Sequence, residues 1–180
     1  MRGMSLKIIP EHIDPFRFAE QSLRLEGVVK IIDMHRLSAS LNSTNEPVAV
    51  KLEFGVDEQG ITFVKGHLKT TLILQCQRCM EPFVYEIISN FVLGVVNSLE
   101  EVDSLPEGYE PALAKDGLLA LRELVEDELI LNLPIIPRHE PDICKVKLPL
   151  ADAGWEQEKG ENPFHVLASL KHKQKLKSGD

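Results

Sequence analysis

At 180 residues and 43% hydrophobic, the chain is long enough for one sizeable core and too short for two ordinary domains. A formal net charge of -8, from 20 basic and 28 acidic residues, excludes a protein that coats nucleic acid by charge alone. No run approaches the ~20 apolar residues of a membrane span, the first residues lack the order of a signal peptide, and three cysteines make no disulfide framework, so the expected setting is the reducing cytoplasm.

Residues 1–14 read as an unpatterned arm, at whose end Asp14 supplies an N-cap and Pro15 a first helical position. A short helix is expected there, with Phe16, Ala19 and Leu23 on one face. Residues 25–32 read as a strand and the polar stretch 38–46 as a loop. In 48–56 every even position is apolar while Lys51 and Glu53 take odd ones, the pattern of a strand with one buried face. After turn residues Asp57 to Gly60, residues 61–74 return as a long strand whose apolar parity shifts near Gly66, as a bulge would make it do. Phe83, Tyr85, Ile87, Phe91, Leu93 and Val95 keep one parity through a third long strand. Residues 97–115 form an acidic loop, and Asp116 is expected to cap a helix over 117–132. Leu118, Leu121, Val125 and Leu129 would line its buried face, and Arg122, Glu123, Glu126, Asp127 and Glu128 a solvated one, until Pro134 stops it. Residues 145–160 carry little pattern, and Asn162 with Pro163 opens a last short helix over 164–173. The expected fold is α+β, an antiparallel β-meander core with a cross-packed helix and short N- and C-terminal helices. Residues 15–150 form its single domain, and 151–180 a linker and basic helix.

The most specific feature is Cys76-Gln77-Arg78-Cys79, a Cys-x-x-Cys turn between two strands. Two thiols so spaced suit a tetrahedral metal, a local disulfide or a thiolate pair of lowered pKa. Thioredoxin-like chemistry needs the pair at a helix N-terminus, and strands flank it here. Zinc needs two further ligands, and His139 and Cys144 supply the right types from a Pro-rich segment; free thiols near a surface turn are the competing reading. Arg78 could balance thiolate charge or touch phosphate. His12, His35, His67, His165 and His172 have no partner at ligand spacing.

Charge is unevenly placed. Residues 97–142 hold twelve acidic and three basic side chains, a balance of -9 that leaves +1 for the rest of the chain. Lys171, Lys173, Lys175 and Lys177 against Asp180 make the final stretch basic.

Four motifs occur in order: the Cys76 to Cys79 turn; Tyr109-Glu110-Pro111; Val125-Glu126-Asp127-Glu128-Leu129-Ile130-Leu131-Asn132-Leu133-Pro134 with His139 and Cys144; and Asn162-Pro163-Phe164-His165-Val166-Leu167-Ala168-Ser169-Leu170-Lys171. Together they resemble the bacterial YceD family, the large ribosomal RNA subunit accumulation proteins, over residues 16–173; residues 38–46 and 152–160 carry no match. The resemblance implies a non-enzymatic factor for accumulation of 23S ribosomal RNA, partnered by that RNA or its assembly intermediates. No phosphate-cradling loop or dinucleotide fingerprint is present, and no catalytic residues are assigned. The basic tail and Arg78 are the expected RNA contacts. A second reading is an acidic adaptor in which Glu126 and Asp127 help hold a basic ribosomal protein. A third is a thiol or metal-dependent enzyme built on the Cys turn.

Overall fold

The computed structural model describes residues 7–43 and 46–146. In chain order these form β1 (His12–Ile13), α1 (Pro15–Glu20), β2 (Arg24–Lys30), a 3-10 turn (Ile31–Asp33) and α2 (His35–Ser38). Then come β3 (Pro47–Val56), β4 (Thr62–Gln75), β5 (Pro82–Val96), a second 3-10 turn (Leu99–Ser104), β6 (Glu110–Leu113), β7 (Leu119–Ala120) and α3 (Leu121–Leu131). The class is α+β, as expected: β2, β3, β4 and β5 make an antiparallel meander, β6 joins its edge in the order β2-β3-β4-β5-β6, and β1 pairs with β7. Among the described residues no helix is long and apolar enough to cross a membrane. The expected C-terminal helix over 164–173 and the linker before it lie outside the described residues.

Alternation decides which sheet face is buried. Val48, Val50, Leu52 and Phe54 of β3 are at most 3% exposed while Lys51 and Glu53 face outward, and Leu68, Leu72 and Leu74 of β4 continue the same layer. The bulge expected near Gly66 is absent. Pairing runs in unbroken register from Ala49↔Lys69 to Val56↔Thr62 and from Phe63↔Gly94 to Gln75↔Pro82. Gly66 simply occupies an inward position where the Phe91 ring lies, and a Cβ would run into that ring. The aromatic side chain fills the space that the missing one leaves.

The N-cap of α1 is as read: Asp14 Oδ1 accepts the Arg17 N–H at 3.0 Å, with Pro15 in the first turn. The start of α3 is not. Asp116 has φ 51° and sits in a turn with Gly117 at φ 76°, so it caps nothing, and the helix begins at Leu121 after Ala120, which offers no side-chain cap. The reason lies in β1. Leu119 and Ala120 are drawn into extended pairing with His12 and Ile13, and the Leu121 N–H donates to the Glu11 carbonyl at 2.9 Å, so a distant strand satisfies one orphan donor. Leu121, Val125 and Leu129 are fully buried, as expected of them, whereas Leu118 precedes the helix and is 46% exposed. The acidic loop also holds structure that was not anticipated. Residues 110–113 pair in parallel with β5, and the Tyr109 hydroxyl donates to Asp57 Oδ2 at 3.0 Å, fastening this segment to the β3–β4 turn.

The reading of the α3 carboxylates as one solvated face needs correction at Glu126 and Glu128, which are 6% and 8% exposed. Glu126 Oε1 accepts the N–H groups of Arg36 at 2.7 Å and Leu37 at 3.0 Å, while Oε2 accepts from the Arg36 guanidinium at 3.1 Å. Its carboxylate thus does for α2 what a capping side chain would, since Met34 offers no acceptor. Burial raises the Glu126 carboxyl, but the N–H of Leu37 and the side chain and N–H of Arg36 outweigh it and hold it below the usual carboxylate range. A carboxyl depressed in the folded state stabilises the fold above its ordinary titration range, and that contribution is lost as pH falls through the depressed value. Glu126→Gln is therefore expected to cost about 1.5–3 kcal/mol at neutral pH, the worth of hydrogen bonds to a charged group. Urea melts at a series of pH values check it, with the gap to the parent narrowing below pH ~4; a gap that does not change with pH would remove the charge from the account.

Candidate metal centre

The ladder between β4 and β5 ends at Gln75↔Pro82, and the chain reverses over the six positions between. The Cys76 N–H donates to the Glu81 carbonyl at 2.9 Å, and the Met80 N–H to the Cys76 carbonyl at 2.8 Å. Met80 takes φ 61° to close the reversal, and the Gln75 side chain donates to its carbonyl at 3.1 Å. Both thiols of the Cys-x-x-Cys turn therefore sit at the tip of the longest hairpin in the sheet.

The second half arrives from α3. Asn132 ends that helix and ties it to the sheet by donating to Ser89 Oγ at 3.1 Å, after which the prolines at 134 and 137 keep the chain from resuming a helix. The Gln77 N–H donates to the Pro137 carbonyl at 2.9 Å, which brings the return segment alongside the Cys turn. The His139 ring lies against Phe83, centroids 5.1 Å apart, and a reversal in which the Cys144 N–H reaches the Glu140 carbonyl at 3.1 Å points that cysteine back inward. An ion pair between Lys145 and Glu81 at 2.9 Å closes the outside.

The ligand atoms of Cys76, Cys79, His139 and Cys144 all lie within 4.8 Å of one another. Cys79 Sγ is 3.3 Å from His139 Nδ1, and the His139 N–H donates to Cys76 Sγ at 3.4 Å. Four donors around an ion with metal–sulfur bonds of ~2.3 Å stand ~3.8 Å apart, so the cluster fits a tetrahedral ion with little adjustment. Cys76 and Cys144 are buried, and all three thiols are free of disulfide. Such a group could bind a metal through four protein ligands with no open position, the arrangement of a structural centre rather than of one that activates water.

The surroundings favour the ionised ligand at Cys76. Burial raises its thiol, but the N–H groups of His139, Cys79 and Arg78 and the His139 ring outweigh that and bring it to about 5. At Cys79 the Glu81 backbone lowers the thiol, and burial together with the neighbouring Cys76 and Cys144 reverses the direction and raises it. Thiols that repel each other's ionisation are what a divalent cation relieves. Arg78 is already committed here: its Nε donates to Cys144 Sγ at 2.9 Å and its Nη2 to the His139 carbonyl at 3.3 Å.

The other sequence-assigned residues are not brought to this centre. Glu126 and Asp127 face Arg36 on the α2 side of α3, Asp127 Oδ1 accepting from its Nη1 at 2.6 Å. Lys171, Lys173, Lys175 and Lys177 lie outside the described residues. On the outer sheet face Lys51 pairs with Glu26 and Lys69 with Glu86, each at 2.9 Å, so these lysines form no uncompensated basic stripe. One residue assigned to the solvated face proves to be buried. Glu128 stands three positions after Val125 and seven after Leu121, within the apolar stripe, and that spacing was the available signal.

Comparison with known proteins adds a family. The family model described as large ribosomal RNA subunit accumulation protein YceD matches residues 64–171. A protein of that name from Haemophilus influenzae is 36% identical over 169 residues, covering 92% of this chain and 97% of the relative. No solved structure matches.

Proposed function

The chain belongs to the YceD family of large ribosomal RNA subunit accumulation proteins, and from that membership we propose that it is a non-enzymatic, cytoplasmic factor required for accumulation of 23S ribosomal RNA. The observation that carries this reading is the extent of the match. It spans β5, β6, α3 and both halves of the Cys and His cluster, so it covers the elements that build the centre and not an isolated motif.

The cluster is read as a structural zinc centre held by Cys76, Cys79, Cys144 and His139. Zinc would supply a cross-link between the hairpin tip and the segment that returns from α3. Three thiolates and an imidazole around a divalent ion leave one net negative charge, which the Arg78 guanidinium beside Cys144 offsets. Metal analysis of protein purified without chelator should give about one zinc per chain. Cys79→Ser should lose the metal and melt well below the parent; a metal-free parent that melts with the variant removes the centre.

RNA contact is assigned to Lys171, Lys173, Lys175 and Lys177 and, separately, to Arg78. The acidic band over 97–142 suits a basic ribosomal protein, and Asp127 is the more available of the two carboxylates assigned to it, since Glu126 is engaged by Arg36 and Leu37. Changing the four lysines to Gln should weaken association with large-subunit RNA and flatten its salt dependence, by up to ~0.9 in slope for each phosphate that a lysine no longer neutralises. Unchanged binding would exclude the tail. In cells lacking the protein, gradient profiles should show a deficit of large subunits that the parent sequence restores, and an unchanged ratio of the two large ribosomal RNAs would remove the ribosomal assignment.

A further inference from the structure

We propose that the recess between α3 and the β5–β6 edge, lined by the carboxylate of Glu128, seats an arginine side chain of a basic partner protein. This deepens the protein-partner half of the function proposed above and rests on it.

Glu128 is 8% exposed, yet among the described residues its carboxylate has no hydrogen-bond or ion-pair partner. It lines two adjoining hollows. One, of about 590 Å³, lies over Phe91, Asn90 and Asn132, with Glu110 on its rim; the other follows α3 past Asp127 and Glu123. Burial pushes the Glu128 carboxyl up, and Glu110 and Asp127 push it further. A largely buried carboxyl beside like charge gains from a cationic partner that meets it. Lys65 is the one basic side chain on the first hollow, and its ammonium rests over the Phe63 ring, 4.9 Å from the centroid, with no ion pair among the described residues.

The chemistry selects the occupant. Phosphate is repelled by the carboxylates that line the recess. A metal ion is disfavoured because, among the described residues, only the Cys and His cluster brings three or more ligating groups to one point. Arginine fits on both counts that remain. Its planar fork matches a carboxylate with two parallel hydrogen bonds, and its apolar stem can lie along Leu131, which is 74% exposed on the same rim.

The test uses the full chain and a labelled, amidated peptide of alternating leucine and arginine, with its citrulline counterpart as the uncharged isostere. The parent should bind the arginine peptide about tenfold or more tighter than the citrulline peptide, and Glu128→Gln should abolish most of that preference. Glu53→Gln, on the outer sheet face, should leave it intact. Amide shifts on titration should centre on residues 108–110 and 128–132. Because burial disfavours the charged form of Glu128, Glu128→Gln should melt no lower than the parent, and Glu110→Gln on the exposed rim gives an independent, smaller loss. Equal losses in Glu53→Gln and Glu128→Gln would reduce the effect to general acidity and overturn the proposal, as would equal binding of the two peptides. Unaffected peptide binding with tighter binding of a large-subunit RNA fragment by Glu128→Gln would place RNA at the recess and overturn it too. Selective loss in Glu128→Gln, with a normal ribosomal RNA ratio in cells lacking the protein, would keep the arginine seat and remove only its ribosomal setting.

Discussion

The β4–β5 ladder is the constraint on which the rest depends. It runs unbroken from Phe63↔Gly94 to Gln75↔Pro82, and this continuity fixes where the Cys turn stands relative to the inner face on which α3 lies. A register slip of one residue would turn Leu68, Leu72 and Leu74 outward and swing both thiols away from His139 and Cys144. The helix is held against the same ladder by Leu121, Val125 and Leu129 and by the Asn132 to Ser89 hydrogen bond, so the segment that follows leaves from a defined point. Two elements far apart in sequence meet at the cysteines because both are referenced to one sheet.

What the sequence made legible was whatever followed from local periodicity. The even positions of β3, the single parity of β5, the Asp14 cap and the helical spacing of Leu121, Val125 and Leu129 are each decided by neighbours within a turn or two. What it hid was decided by partners elsewhere in the chain. Asp116 looks like a cap until β1 draws residues 119 and 120 into a strand; Glu126 looks solvated until Arg36 and Leu37 of α2 are brought to it. The apparent parity shift at Gly66 came from reading a glycine as a break in pattern when Phe91 supplies the bulk at that place. The metal cluster was legible because thiols and imidazole are distinctive side chains whatever their distance apart. The spacing could name its members but not join them, and the joining is done by the Gln77 to Pro137 hydrogen bond and the packing of Phe83 on His139.

Electrostatically the described residues separate charge by element. On the outer sheet face Arg24, Lys51 and Lys69 are neutralised in cross-strand pairs, and most of the acidic excess follows β5, along β6 and α3. Fields of one sign along a low-dielectric wall steer oppositely charged partners and discourage like-charged ones. A nucleic acid approaching a protein with this layout meets a repulsive side, which biases the orientation of approach. Specificity for a site in a large, uniformly anionic particle benefits from that repulsion as much as from contact.

The pairing of β1 with β7 has a consequence for the order of folding. β2 to β5 are joined by sequential connections and can zip as they are made, whereas His12 meets Ala120 only after about a hundred intervening residues have been placed. The entropy of closing so long a loop is not much greater than for one half its length, but little of it is repaid until the meander exists to position both ends. The two-residue ladder is thus a late closure. Because the Leu121 N–H depends on Glu11, completion of the first turn of α3 waits on a segment near the opposite end of the described chain. During synthesis the N-terminal residues emerge long before their partner strand. Lys7 and Ile9 can pair with Val28 of β2 well before that strand arrives, so only His12 and Ile13 await residues 119 and 120, and the final ordering of the helix is coupled to that short pair.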